Sequence, residues 1–161
     1  MKKISLAFLA VVVVLTGYWL ISPFFIERQV GESLSDIVSA PDLETGTSSL
    51  PADANEPQEV SSGIFFGLAG HNAEGTARLL RVGDRHFVRF EDDFRVTNGP
   101  DLFAYLGKDG KYISEARLGA LKGNVGSQNY EIPAEFNPAD YDEVWIWCRA
   151  FSVPFGVAVF R

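Results

Sequence analysis

The sequence predicts an all-β domain, an antiparallel β-sandwich or partly closed barrel of about seven or eight strands, preceded by one amino-terminal transmembrane helix. Three observations carry this. From about Val60 onward, short runs of aromatic and β-branched residues alternate with turn-forming Gly, Pro, Asn and Asp. The same region holds no amphipathic helical pattern of useful length. Residues 4–21 form one uncharged apolar run, long enough as a helix to cross a hydrocarbon core of about 30 Å.

The first element, residues 1–26, reads as a signal-anchor. Lys2 and Lys3 precede the apolar run and hold that end inside, while Tyr18, Trp19, Pro23, Phe24 and Phe25 resemble an interfacial belt on the far side. A cleaved signal peptide has a shorter apolar region, of about 7 to 15 residues, and a small-x-small site. No good site is visible, since Val38-Ser39-Ala40 runs into Pro41. The expected localisation is the cell membrane, single-pass, with everything from Glu27 onward outside the cytoplasm, in the periplasm or at the cell surface.

Residues 27–61 read as an acidic flexible tether. Residues 27–62 hold eight acids and one base, and are rich in Ser, Pro and Gly with almost no aromatics. Residues 33–38 have room for one helical turn, but Pro41, Pro51 and Pro57 stop anything longer. The β domain, residues 62–161, is near neutral, with thirteen acids and eleven bases in 63–161. That balance gives no basic surface for a phosphate backbone, which argues against a nucleic-acid partner.

Within the domain, residues 63–68 form the first expected strand. Residues 75–82 and 85–90 flank Gly83-Asp84, the pattern of a tight hairpin. After the turn Asn98-Gly99-Pro100 come strands at 101–106, 112–118 and 127–132. The run 144–149 is a strand that must alternate, with Val144, Ile146 and Cys148 on one face and Trp145, Trp147 and Arg149 on the other. After a break at 152–154, residues 155–160 form a last strand built into the sheet.

Chemistry-bearing residues are few. His71 lies in a polar turn and His86 in a strand beside Val88 and Phe90; neither has a zinc or haem-attachment spacing around it, and no metal site is expected. The acid clusters 91–93 and 140–143 lack the spacing of a calcium loop and read as solvated strand ends. The loop 119–127 is glycine-rich but lacks the glycine-lysine-serine ending and following helix of a phosphate cradle, and reads as a flexible loop. A serine triad fails for want of a nucleophile elbow. Cys148 is the only cysteine, so outside the cytoplasm it is buried as a small apolar residue, paired with another molecule, or used chemically.

The segments 99–106, 118–133 and 144–156, above all Trp145-Ile146-Trp147-Cys148 with Phe151 and Phe155 behind, resemble the DM-thirteen domain, an all-β extracytoplasmic family often found beside haem-binding DOMON domains. The resemblance covers roughly residues 62–161. It implies electron transfer or redox modification at the cell surface, with the family's signature cysteine falling on Cys148 as a bare thiol or a haem ligand. The implied aromatic shell is Trp145, Trp147, Phe151 and Phe155, with Arg149 tuning the sulfur; if haem binds, His86 or His71 is the second ligand. A redox partner protein is the partner this implies, beside the membrane expected through the amino-terminal helix.

Two functions from different classes therefore stand. In one the chain is an anchored redox domain centred on Cys148. In the other it is a non-catalytic binding module in which Cys148 is structural and an exposed loop such as 119–128 meets a partner.

Overall fold

The computed structural model describes residues 2–21, 27–38 and 56–161 of the chain. Among these the elements run α1 (Lys2–Ile21), α2 (Leu34–Val38), β1 (Gln58–Gly67), β2 (Ala73–Glu74), β3 (Thr76–Val82), β4 (Arg85–Phe90), β5 (Arg95–Val96), β6 (Leu102–Lys108), β7 (Lys111–Ala120), β8 (Gln128–Ile132), β9 (Glu143–Cys148) and β10 (Val153–Val159). One antiparallel sheet has the order β7-β6-β9-β10-β1-β3-β4-β8, and β2 pairs with β5 beside it. The edge strands approach each other, Gly119 of β7 lying against the Tyr130 ring of β8. The result is an all-β, nearly closed barrel of eight strands, as the turn-punctuated pattern predicts.

Alternation along each strand sends one set of side chains inward. The interior packs Phe65, Phe90 and Phe94 with ring centroids 4.7 to 5.0 Å apart, and adds Val88, Leu106, Val144, Ile146 and Cys148. Each such apolar side chain contributes about 1.5–3 kcal/mol when fully buried. The two faces of β9 are those expected: Trp145 and Trp147 point outward, into a separate aromatic cluster with Phe103, Tyr105 and Tyr112.

Most strand limits lie within one or two residues of expectation, the short β2–β5 pair was not expected, and two of the shifts have a local cause. β1 begins at Gln58, inside the stretch assigned to the tether, because its polar first half pairs with β3 through Gln58↔Arg81 and Ser62↔Arg78. β10 begins at Val153 and carries Pro154 through a register shift before Gly156, where a missing N–H is tolerated. The break falls instead at 149–152, where Ser152 takes φ 52°.

Residues 27–38 are not free, which corrects the tether over that length. They form a strap along the barrel. Gln29 bridges Val125; Val30 and Glu32 donate their N–H groups to the carbonyls of Val125 and Ser127 at 2.9 and 3.0 Å, and the Asn124 N–H donates to the Arg28 carbonyl at 3.0 Å. The Glu32 carboxylate accepts from Lys122 Nζ at 2.7 and 2.8 Å and from the Asn129 N–H at 2.7 Å. Gly126 holds φ +92°, and a Cβ there would run into the Val30 carbonyl, so only glycine lets the strap pass. The loop 119–128, expected to be flexible and exposed, is thus largely covered, with Asn124, Ser127 and Gln128 buried.

α2 then sets Ile37 on Leu80, Val82 and Phe87, on the outer side of β3 and β4. Their chain neighbours Leu79 and Val88 belong to the interior. Consecutive apolar pairs at 79–80 and 87–88 arise because this part of the sheet is buried on both faces.

α1 covers residues 2–21 of the expected anchor, and its described apolar side chains, Phe8, Leu9, Val13, Val14 and Leu15 among them, are exposed. Side chains are described only for 8–18 of it, and among the described residues no helix is long and apolar enough to cross a membrane. Pro23, Phe24 and Phe25 of the expected belt, and residues 39–55 of the tether, lie outside the described residues.

Candidate functional site at the Cys148 end of the barrel

Cys148 closes β9, opposite Leu102 on one side and Val153 on the other, one rung below the barrel rim. Its sulfur is unpaired, and the residue is 0% exposed within the main core. A functional thiol needs a rim position with access; Cys148 has the position without the access.

A latch lies directly above it. The Arg149 N–H donates to the Asp101 carbonyl at 3.0 Å, and the Arg149 guanidinium donates to both Asp101 carboxylate oxygens at 3.1 and 3.2 Å. The guanidinium also stands 3.8 Å over the Phe103 ring. Hydrogen bonding to Asp101 holds the Arg149 pKa above its ordinary value. Arg149 is therefore committed to Asp101 and Phe103 on the outer side, and is not directed at the sulfur it was expected to tune.

The implied aromatic shell is divided. Trp147 stacks on Tyr112 at 4.1 Å on the outer face. Trp145 is buried there too, its Nε1–H donating to Glu143 at 2.7 Å, and Glu143, itself buried, accepts the Gly110 N–H at 2.9 Å. Gly107 leaves the space the indole occupies, since a Cβ there would strike it. Phe151 is 63% exposed on the 149–152 turn. Only Phe155 shares the interior with Cys148.

The two histidines lie at opposite ends. His71 is at the Cys148 end, its ring stacked flat on Phe155 at 3.6 Å. His86 pairs with Ile132 and Arg81, and Arg81 with Gln58, which is the far end of β1 from Gly67 and Gly156. Burial, and then Arg81, lower the His86 pKa. The site does not fit a haem held by Cys148: iron on that sulfur needs a free face for the porphyrin, the sulfur has none, and His86 is out of reach. Among the described residues no group of three or more His, Cys, Asp or Glu is placed to hold a metal.

Two open grooves flank Glu27 at this end. One, of about 490 Å³, is lined by Arg28, Asp101, Leu102, Phe103 and Leu121. The other, of about 510 Å³, is lined by His71, Asn72, Glu74, Arg95 and Thr97. Glu27, Asn98 and Asn124 belong to both, and Cys148 to neither. Glu27 itself pairs with Arg95 at 2.8 Å.

Asp101 and Glu32 escaped the sequence reading, and Glu143, read there as part of a solvated acid cluster, is buried instead. Glu143 carried a signal, being two residues from Trp145 and four from Trp147 on the same strand face; Asp101 and Glu32 carried none outside the fold. Chemically, the arrangement is a thiol buried in the core on the last rung of its strand, next to a turn that one ion pair fastens. Reagents meet the sulfur only when that end opens, and opening of a terminal rung is the low-cost kind of fluctuation.

The family model described as Electron transfer DM13 matches residues 65–160. None of the curated proteins and none of the solved structures matches the chain.

Proposed function

Because the chain belongs to the Electron transfer DM13 family, we propose that it is a membrane-anchored extracytoplasmic domain that handles electrons through the Cys148 sulfur, released to a redox partner protein by opening of the 149–152 turn. The carrying observation is the place of Cys148 on the last rung of β9, beneath the Asp101–Arg149 latch. A lone thiol passes electrons by exchange. The Cys148 thiol gives up its proton, its sulfur bonds to one sulfur of a partner disulfide, and the other partner sulfur leaves as thiolate with the electron pair. The anchor is supported by the uncharged run 4–21 behind Lys2 and Lys3, and by the exposed apolar side chains of α1. The same charge asymmetry supports the domain's place outside the cytoplasm.

The test is the rate of native-state labelling by a thiol reagent, against the rate of global unfolding. The reading expects labelling faster than unfolding, and faster still in Asp101→Asn, with the unfolding rate little changed. The non-catalytic binding module is the second reading, favoured by the zero exposure of Cys148. It expects labelling that tracks global unfolding in both proteins, and that result would sink the redox role.

A further inference from the structure

We infer that the Cys148 end of the barrel rests on the membrane surface, with Phe151 of the 149–152 turn set in the lipid headgroup region. The inference rests on the anchored reading above and adds the face that meets lipid.

Chain length carries the first step. A free tether from Glu27 to Ser61 would let the domain range more than about 100 Å from the anchor when extended. The strap removes that freedom, since from Arg28 onward it is bonded to the loop at 123–129. From Ile21, where α1 ends, to Glu27, where the strap begins, even an extended chain reaches at most about 22 Å. The domain is held short.

Position carries the second step. Glu27 lies at the Cys148 end, in both grooves and paired with Arg95. A barrel strand such as the seven-residue β6 is about 23 Å long, so the other end is a full barrel height farther off. The end nearest the anchor is also the end that exposes Phe151. An aromatic ring on a tight turn suits the headgroup region, where its apolar body leaves water at little cost. Arg149 is paired with Asp101, and Arg95 with Glu27 and Glu74, so these groups bring no net positive charge to the surface, and zwitterionic lipid is the surface they fit.

The test uses the full chain with Cys148→Ala in phosphatidylcholine vesicles. An environment-sensitive fluorophore is placed at Phe151→Cys or, at the far end, at exposed Glu135→Cys, and quenched by headgroup spin-labelled lipid. The expected result is several-fold stronger quenching at 151 than at 135, lost when Glu32→Ala loosens the strap in a domain whose β signal is kept. Vesicle flotation separates the failures. A protein that floats with equal quenching at both positions overturns the orientation and leaves the anchor standing; one that does not float overturns the anchor and the orientation with it.

Discussion

Glu32 and Lys122 meet through both carboxylate oxygens, at 2.7 and 2.8 Å, although they stand far apart in sequence and on opposite sides of residues 39–55. Their contact makes the strap part of the fold. Replacing Glu32 by alanine strands the Asn129 N–H and leaves the ammonium with the Asn129 carbonyl and the Tyr130 ring alone, and is expected to cost about 1–2 kcal/mol, the partial exposure of the pair reducing the upper end. Denaturant unfolding of the chain from Glu27 onward measures it. A change near zero would show that the strap contributes nothing.

Ile37→Ala opens a hole over Leu80, Val82 and Phe87, and is expected to cost about 2–5 kcal/mol, the range for truncating a buried isoleucine side chain. A fragment beginning at Val60 loses the same cover entirely. It is expected to fold with a lower midpoint than the chain from Glu27 and to bind a hydrophobic dye that the longer chain excludes.

Cys148 sits among apolar groups, so its two short replacements should differ. Cys148→Ala is expected to cost about 1 kcal/mol, and Cys148→Ser about 1–3 kcal/mol more, because the hydroxyl enters an interior with no partner for it. Equal midpoints for the two variants would mean the site is wetter than its burial indicates.

Glu143→Ala removes the acceptor of the Trp145 indole and of the Gly110 N–H together, with an expected loss of about 2–3 kcal/mol and a shift in tryptophan emission. Glu143→Gln keeps one acceptor oxygen and should fall between. An unchanged emission spectrum in the alanine variant would break the assignment of that hydrogen bond.

His86 gives a pH signature. Burial and then Arg81 lower its folded pKa below the ordinary 6.5, so the unfolded chain takes up the proton first. Stability should therefore fall as pH drops from about 7.5 through 6.5, and this part of the loss should level off once the folded form is protonated too. His86→Gln should flatten the slope in that window. A slope unchanged by the substitution assigns it to other groups.

The class of fold and the faces of β9 were legible because alternation is a local property: Val144, Ile146 and Cys148 point one way whatever they pack against. The hairpin through Gly83-Asp84 was legible for the same reason. The strap was not. Its grip is made of backbone bonds and of Glu32 reaching residues remote in sequence, and a composition rich in Ser and acid looks the same docked or free. The shell around Cys148 was misjudged at Phe151, whose exposure depends on a turn with Ser152 in the left-handed region, a geometry that no residue pattern there announces.

The place of β1 in the sheet sets an order of events during synthesis. β1 lies between β10 and β3, so the earliest strand of the barrel has one neighbour that follows soon and another that follows after every other strand has emerged. Until β10 arrives, β1 presents an open edge and the interior face of Phe65 lacks its cover on that side. A nascent chain therefore carries unfinished sheet until its last strand has emerged, and closure waits on the distant pairing of β1 with β10 rather than on the local hairpin of β3 and β4. Delay at the last strand, not at the first, is where this protein is exposed to proteases and to mispairing with its own copies.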